Sequence, residues 1–180
     1  MRAVETGDAE LLRAFDDGLS ERSRQLRYHG WVPPMTRARA EALTRPDPSV
    51  HCALVATPGV GAPRIIADCR LTAIPHLPGS AEVAIAVADD FQGVGLGRDL
   101  LERMLAVAAD LGVEAVMADV RQDNARMLLL VADLGFARTG TSLGVLTMVR
   151  RGAPQYRSGA GSDRVGGDET ARSSYSTDRS

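Results

Sequence analysis

The chain has little that would commit it to redox or metal chemistry. Its 180 residues include two cysteines and three histidines. Cys52 and Cys69 lie far apart and outside any Cys-x-x-Cys, and His29, His51 and His76 share no ligand spacing. That excludes a zinc knuckle, a redox pair and a disulfide framework as organising devices. What remains is a pair of buried, reduced thiols in a cytoplasmic protein. Charge of one sign is also missing. The net charge is −2 with a pI near 5.9, so no strong field points to nucleic acid or to an anionic membrane. No hydrophobic run is long enough to span a bilayer. The first residues carry Glu5, Asp8 and Glu10 where a signal peptide would carry an apolar core. No internal repeat is present. At this length, with 44% hydrophobic residues, the chain reads as one packed domain.

The chain is organised around residues 81–136. Ala81-Glu82-Val83-Ala84-Ile85-Ala86-Val87-Ala88 alternates larger apolar residues with alanines and reads as a strand. Asp89-Asp90-Phe91 follows, then Gln92-Gly93-Val94-Gly95-Leu96-Gly97-Arg98. Leu96, Leu100, Leu101, Met104, Leu105, Ala108 and Leu111 then make one apolar helical stripe, with Asp99 and Arg103 an i,i+4 step apart on the other face and Gly112 as the stop. Strand, glycine turn and helix in that order aim free backbone N–H groups at whatever sits before the helix. Successive N–H groups in a tight turn form an anion nest, and a diphosphate is the natural guest. Two familiar loops fail. A P-loop needs Gly-Lys-Ser/Thr, and Gly97 is followed by Arg98-Asp99. A dinucleotide fingerprint needs its third glycine at position 98, which is Arg98. The spacing that fits is Gln92-x-x-Gly95-x-Gly97.

With that spacing behind a strand ending Ile85-Ala86-Val87, the chain resembles the GNAT N-acetyltransferases and their acetyl-CoA signature. Asn124 and Gly135-Phe136 fit the same family's downstream pattern, eleven residues apart. The resemblance covers about residues 2–149. It implies a mixed α/β (α+β) domain with a central, mostly antiparallel sheet and helices on both faces. It implies acetyl-CoA as co-substrate and no metal. The backbone of the Ile85, Ala86 and Val87 segment would hold the pantetheine arm. Main-chain groups of Gln92, Gly93, Val94, Gly95, Leu96, Gly97 and Arg98 would hold the diphosphate. Asn124 has two readings, a contact to the pantetheine or adenine side and a plain helix cap. A ligand-free glycine turn is the bland reading of the whole stretch.

Transfer to an amine needs a base. A lysine with a pKa of about 10.4 is mostly protonated near neutrality, and only the free amine attacks a thioester. Glu82 is the candidate, an acid in an apolar strand just before the turn. It shares parity with Ala84, Ala86 and Ala88, which leave room for a ligand. An apolar setting would raise its pKa. A solvent-facing strand-end carboxylate is the alternative. Leu19-Ser20-Glu21-Arg22-Ser23-x-x-x-Arg27, with Ala81-Glu82 and Met127, resembles one branch, the bacterial protein lysine acetyltransferases whose targets include acyl-CoA synthetases. In that branch the glutamate matching Glu82 is the general base. One departure stands out. Many family members carry a tyrosine as general acid seven residues after the asparagine; here that place is Val131. A small-molecule amine acceptor and a non-catalytic acyl-CoA sensor therefore stay open.

Elsewhere the pattern predicts a short edge strand at residues 2–4 and a helix capped by Thr6 or Asp8 with Leu11, Leu12, Phe15 and Leu19 inward. A helix from Ser20 follows with Leu26 and Tyr28 inward, and then a short helix from Thr36 through Leu43. Strands are expected at 50–57, 64–74 and 114–120, a helix from Asp123 or Asn124 to Leu134, and closing strands at 136–139 and 143–149. The histidines read as surface or strand residues, Asp89 and Asp90 as turn residues, and Arg22, Arg24 and Arg27 as a solvated helix face. The domain is expected over residues 1–150. Residues 151–180, rich in Gly, Ser, Asp and Arg, read as a disordered tail. The length leaves no room for the cyclic-nucleotide or synthetase-like domain some relatives carry, so regulation by a fused domain is not expected.

Overall fold

The computed structural model describes residues 1–45, 51–59, 61 and 63–152. The expected loop at Pro46 and Pro48, Val50, Val60, Ala62 and the tail from Ala153 lie outside these residues.

Among the described residues, seven strands form one sheet. In chain order they are β1 (Arg2–Ala3), β2 (His51–Ala56), β3 (Ala67–Ala73), β4 (Ser80–Val87), β5 (Ala115–Arg121), β6 (Ala137–Ser142) and β7 (Val145–Arg151). The spatial order is β1-β2-β3-β4-β5-β7-β6, and every pairing is antiparallel except β4 with β5. The helices are α1 (Ala9–Asp17), α2 (Glu21–Tyr28), α3 (Arg37–Thr44), α4 (Leu96–Asp110) and α5 (Ala125–Asp133). The expected architecture is present. The predicted strand over 64–74 is shorter, because Arg64, Ile65 and Ile66 lie outside the ladder and Ile66 N–H makes the closing bond to Ala56 C=O.

Alternation sorts the sheet's two faces. On one, Cys69, Leu71, Val83, Val116, Ala118 and Val120 pack with Leu100, Leu101, Met104, Leu105 and Ala108 of α4. The i, i+3, i+4 spacing of that α4 stripe is what buries it. Leu100 and Leu101 are fully enclosed, so truncating either to alanine should cost about 2–5 kcal/mol. The predicted Asp99–Arg103 pair is absent; Arg98 instead reaches Asp133 of α5 at 2.8 Å and Glu102 at 3.6 Å. On the other face, Leu12, Phe15 and Leu19 pack with Met35, Ala40, Val55 and Ile65. There a buried Asp68–Arg70 pair at 2.9 Å ties β3 to α3, because Arg70 Nη1 also donates to Leu43 C=O at 2.8 Å. Ser20 and Thr36 cap α2 and α3 as expected, accepting from Ser23 N–H and Arg39 N–H. Cys69 is buried and Cys52 half-buried, both free, and burial pushes both thiol pKa values up.

Candidate active site

The site opens where two strands part. β4 and β5 are in register only from Ser80–Ala115 to Glu82–Met117. Beyond Glu82, β4 keeps β3 along its other edge to Val87. Ile74 N–H bonds Ser80 C=O, and Ala88 N–H bonds Ile66 C=O. In an antiparallel ladder these directions alternate. Residues 80, 82, 84, 86 and 88 therefore turn their main chain to β3, and residues 83, 85 and 87 turn theirs to the gap. Ile85 presents both its N–H and its C=O there. Val87 presents its N–H, while its C=O accepts from Gln92 Nε2 at 3.0 Å. Ala86 lines the same gap only through its methyl group, since its amide and carbonyl face β3.

The gap leads to the glycine turn. Gly93 (φ 80) and Gly95 (φ 92) are left-handed, a conformation that a Cβ would strain. Gly95 caps α4 without any side chain. Asp99 N–H is the first to bond back, to Gly95 C=O at 3.1 Å. The N–H groups of Leu96, Gly97 and Arg98 thus have no carbonyl behind them, at the positive end of a 15-residue helix. The Arg98 side chain is held by Asp133 and stays out of this ring of amides. Val94 is exposed beside it.

A cleft of about 470 Å³ follows this path, lined by Glu82, Ile85, Val87, Gln92, Gly93 and Gly97 on one arm and Ala118, Val120 and Asn124 on the other. Glu82 lies on its wall, exposed, on the sheet face opposite α4, and its carboxylate has no hydrogen-bond partner among the described residues. The apolar enclosure suggested by its strand is not there, because Ala84 and Ala86 are too small to cover it. Asp119 of β5 shares that sheet face, and its Oδ1 accepts from Thr147 Oγ1 at 2.8 Å. Asn124 caps α5, its Oδ1 accepting from Met127 N–H at 3.2 Å, and it also lines the cleft. Val131 is fully buried in the core.

Helix α2 spans the gap, a role its sequence did not reveal. At its N-terminus, Asp89 accepts from Ser20 N–H (3.0 Å), Ser20 Oγ (2.7 Å) and Ser23 Oγ (2.8 Å), and Gln92 Nε2 donates to Ser23 Oγ (3.1 Å). Burial works against the Asp89 carboxylate, yet these hydrogen bonds together hold its pKa below the usual value. On the far arm, Arg22 reaches Asp123 Oδ2 at 2.9 Å. The Arg121 and Arg22 guanidiniums hold that carboxyl well below the carboxylate range. His29, itself left-handed at φ 59, places Nε2 3.0 Å from Asp119 C=O. A carbonyl only accepts, so Nε2 carries the proton. Arg24 does not stand on a solvated face; it pairs with buried Asp16 at 2.6 Å. The clue in the sequence was Ser20-Glu21-Arg22-Ser23, but its partners are 66 to 101 residues away.

Among the described residues, no group of three or more His, Cys, Asp or Glu could hold a metal, and no helix is long and apolar enough to cross a membrane.

Comparison with known proteins points the same way. The pattern of the acetyltransferase (GNAT) family matches residues 16–136. The acetyltransferase Pat of Mycolicibacterium smegmatis is 34% identical over 146 residues, covering 81% of this chain and 43% of that protein. The chain thus spans less than half the length of this relative. Acetyltransferase PA5475 of Pseudomonas aeruginosa is 29% identical over 143 residues, covering 76% of this chain and 73% of that one. Among solved structures, the GNAT domain of S. lividans PAT superposes with a TM-score of 0.75 at 28% identity, covering 83% of this chain and 88% of that one.

Proposed function

The chain belongs to the acetyltransferase (GNAT) family, and on that premise we propose that it transfers acetyl from acetyl-CoA directly to an amine, the side chain of a protein lysine. The observation that carries this reading is the open edge of β4, running from Glu82 to the bare N-terminus of α4. Pyrophosphate oxygens fit the N–H groups of Gly93–Arg98, where both nest and helix dipole favour an anion. Pantetheine amides fit the N–H and C=O of Ile85 and the N–H of Val87, which would otherwise hydrogen-bond only to water. A pantetheine arm on that edge leads back towards Glu82, because β4 joins the two.

Glu82 then acts as general base. Its carboxylate takes a proton from the ammonium, directly or through water, and the freed amine attacks the thioester carbonyl. The C–N bond forms, the C–S bond breaks, coenzyme A leaves as thiolate, and the nitrogen's second proton passes to water or to that thiolate. Val131 is buried and has no proton to give, so that thiolate departs unaided or takes its proton from water. Asp119, on the same face as Glu82, favours a cationic acceptor. The exposure of Glu82 suits a lysine presented from outside. The Leu19–Arg27 run and the similarity to Pat support a protein acceptor, with an acyl-CoA synthetase lysine as the first to test. A non-catalytic acyl-CoA sensor is favoured by Val131 and opposed by Glu82.

We place the activity in residues 1–150, with β7 running on through Arg151. The free thiols of Cys52 and Cys69 fit the cytoplasm. The test is incubation with labelled acetyl-CoA and a cell lysate, followed by separation of protein-bound from small-molecule label. All 21 basic residues of the chain are arginine, so lysine-bound label must belong to the acceptor. Label found only on small molecules would replace the protein lysine with a small amine; no label at all would leave the sensor.

A further inference from the structure

The tip of the β6–β7 hairpin is built against its own backbone preferences. Only Leu143 and Gly144 connect the two strands, at φ 47 and φ 77. A two-residue loop with both φ values positive favours Asn-Gly or Asp-Gly. Leucine gains no local hydrogen bond there, and its Cβ is crowded in the left-handed region. Nor is the side chain used in the core, since it is fully exposed, at 101%. A bulky residue held in a strained place with no structural return points to a contact made with something else.

Its position says where. Gln122 N–H donates to Gly144 C=O at 2.9 Å, and Gln122 directly precedes Asp123 and Asn124 on the cleft wall. The tip therefore stands on the rim, outside the cavity. The segment after α2 reaches β5 three residues before Gln122, because His29 bonds Asp119 C=O. Two residues further on, Trp31 is 80% exposed. A small amine that fits a cleft of about 470 Å³ would touch neither side chain. An occupant that meets either side chain extends beyond the cleft.

We propose that Leu143 and Trp31 are docking contacts for the acceptor protein and meet apolar side chains on the surface around its lysine. This rests on the protein-lysine reading above. The test compares two acceptors: a purified acyl-CoA synthetase, and Nα-acetyl-lysine methylamide, which fits inside the cleft. Leu143→Asn suits the turn, so melting temperature should hold or rise, and Trp31→Ala removes an exposed ring. Each variant should lower kcat/KM for the synthetase by about tenfold, the scale of an interface anchor, and leave the lysine derivative unchanged. A synthetase acetylated equally well by wild type and both variants overturns the docking contact alone. A wild-type chain that leaves the synthetase unlabelled overturns the protein acceptor as well. A wild-type dimer that Leu143→Asn dissolves, seen by sedimentation, assigns the tip to self-association and overturns the proposal too.

Discussion

The two edges of β4 belong to one strand, through alternate residues, and do opposite things. On one edge β3 pairs without a break from Ala81 to Val87. On the other β5 pairs from Ser80 to Glu82 and then leaves. One edge is fold and the other is site. The difference lies in where the neighbour's hydrogen bonds stop, at Glu82. A buried orphan amide would be costly, but at an open cleft water satisfies it until a ligand takes over. On the proposed reading, pairing withheld at Ile85 and Val87 turns a structural strand into a binding edge.

The strongest way to break this comparison is at Glu82, where the edges part. Glu82→Gln keeps shape and removes the base. Transfer should fall by about a hundredfold or more, the scale of general base catalysis, while calorimetric affinity for acetyl-CoA is unchanged. Wild-type turnover in the variant would reduce Glu82 to an exposed strand carboxylate.

The second test is at the far end of the open edge. Gly95→Asp places a charge and a strained side chain at the N-terminus of α4 and should weaken acetyl-CoA binding by about tenfold or more. Gly95→Ala sharpens the reading. A Cβ there meets nothing within 4 Å, so its smaller loss measures the φ strain alone. Unchanged affinity in the aspartate variant would detach the glycine turn from the coenzyme.

These two features were legible because they are local. Strand, turn and helix are contiguous over 81–111, and glycine spacing reports directly on a backbone that needs φ 80 and φ 92. The bridging role of helix α2 was not legible, although the helix itself and its Ser20 cap were. Periodicity shows which face of a helix is apolar, and no residue of α2 is fully buried. Arg22, Arg24 and His29 read as surface, and Arg22 and His29 are indeed exposed, yet Arg22 and His29 bridge to β5 and its following turn across 101 and 90 residues. Asp119 was missed for the same reason; within β5 it is only an alternating polar residue.

A third prediction follows for that helix. Asp89→Ala removes three hydrogen bonds that fix the N-terminus of α2. The acceptor KM should rise severalfold with acetyl-CoA affinity nearly constant, and the melting temperature should fall by about 2–6 °C. Equal changes for both substrates would mean that α2 serves the whole cleft and not its acceptor side.

The smallest effect is expected at the other end of α2. Tyr28 O–H donates to Asp16 Oδ1 at 2.6 Å, and Arg24 holds the other carboxylate oxygen at 2.6 Å. Burial, and then the Asp16 bond, push the Tyr28 pKa up from 10.0 to about 12. A raised pKa means that folding favours the protonated phenol. The contribution is complete below the unfolded value of about 10 and is lost as pH climbs through 12. Melting temperatures taken from pH 9 to 12 should therefore fall more steeply in wild type than in Tyr28→Phe. The variant starts lower, having lost one hydrogen bond, and has no phenol to ionise. Parallel curves would mean that the phenol does not anchor α2, and that the helix is held by its bonds to Asp89, Asp123 and Asp119 together with the Arg24–Asp16 pair.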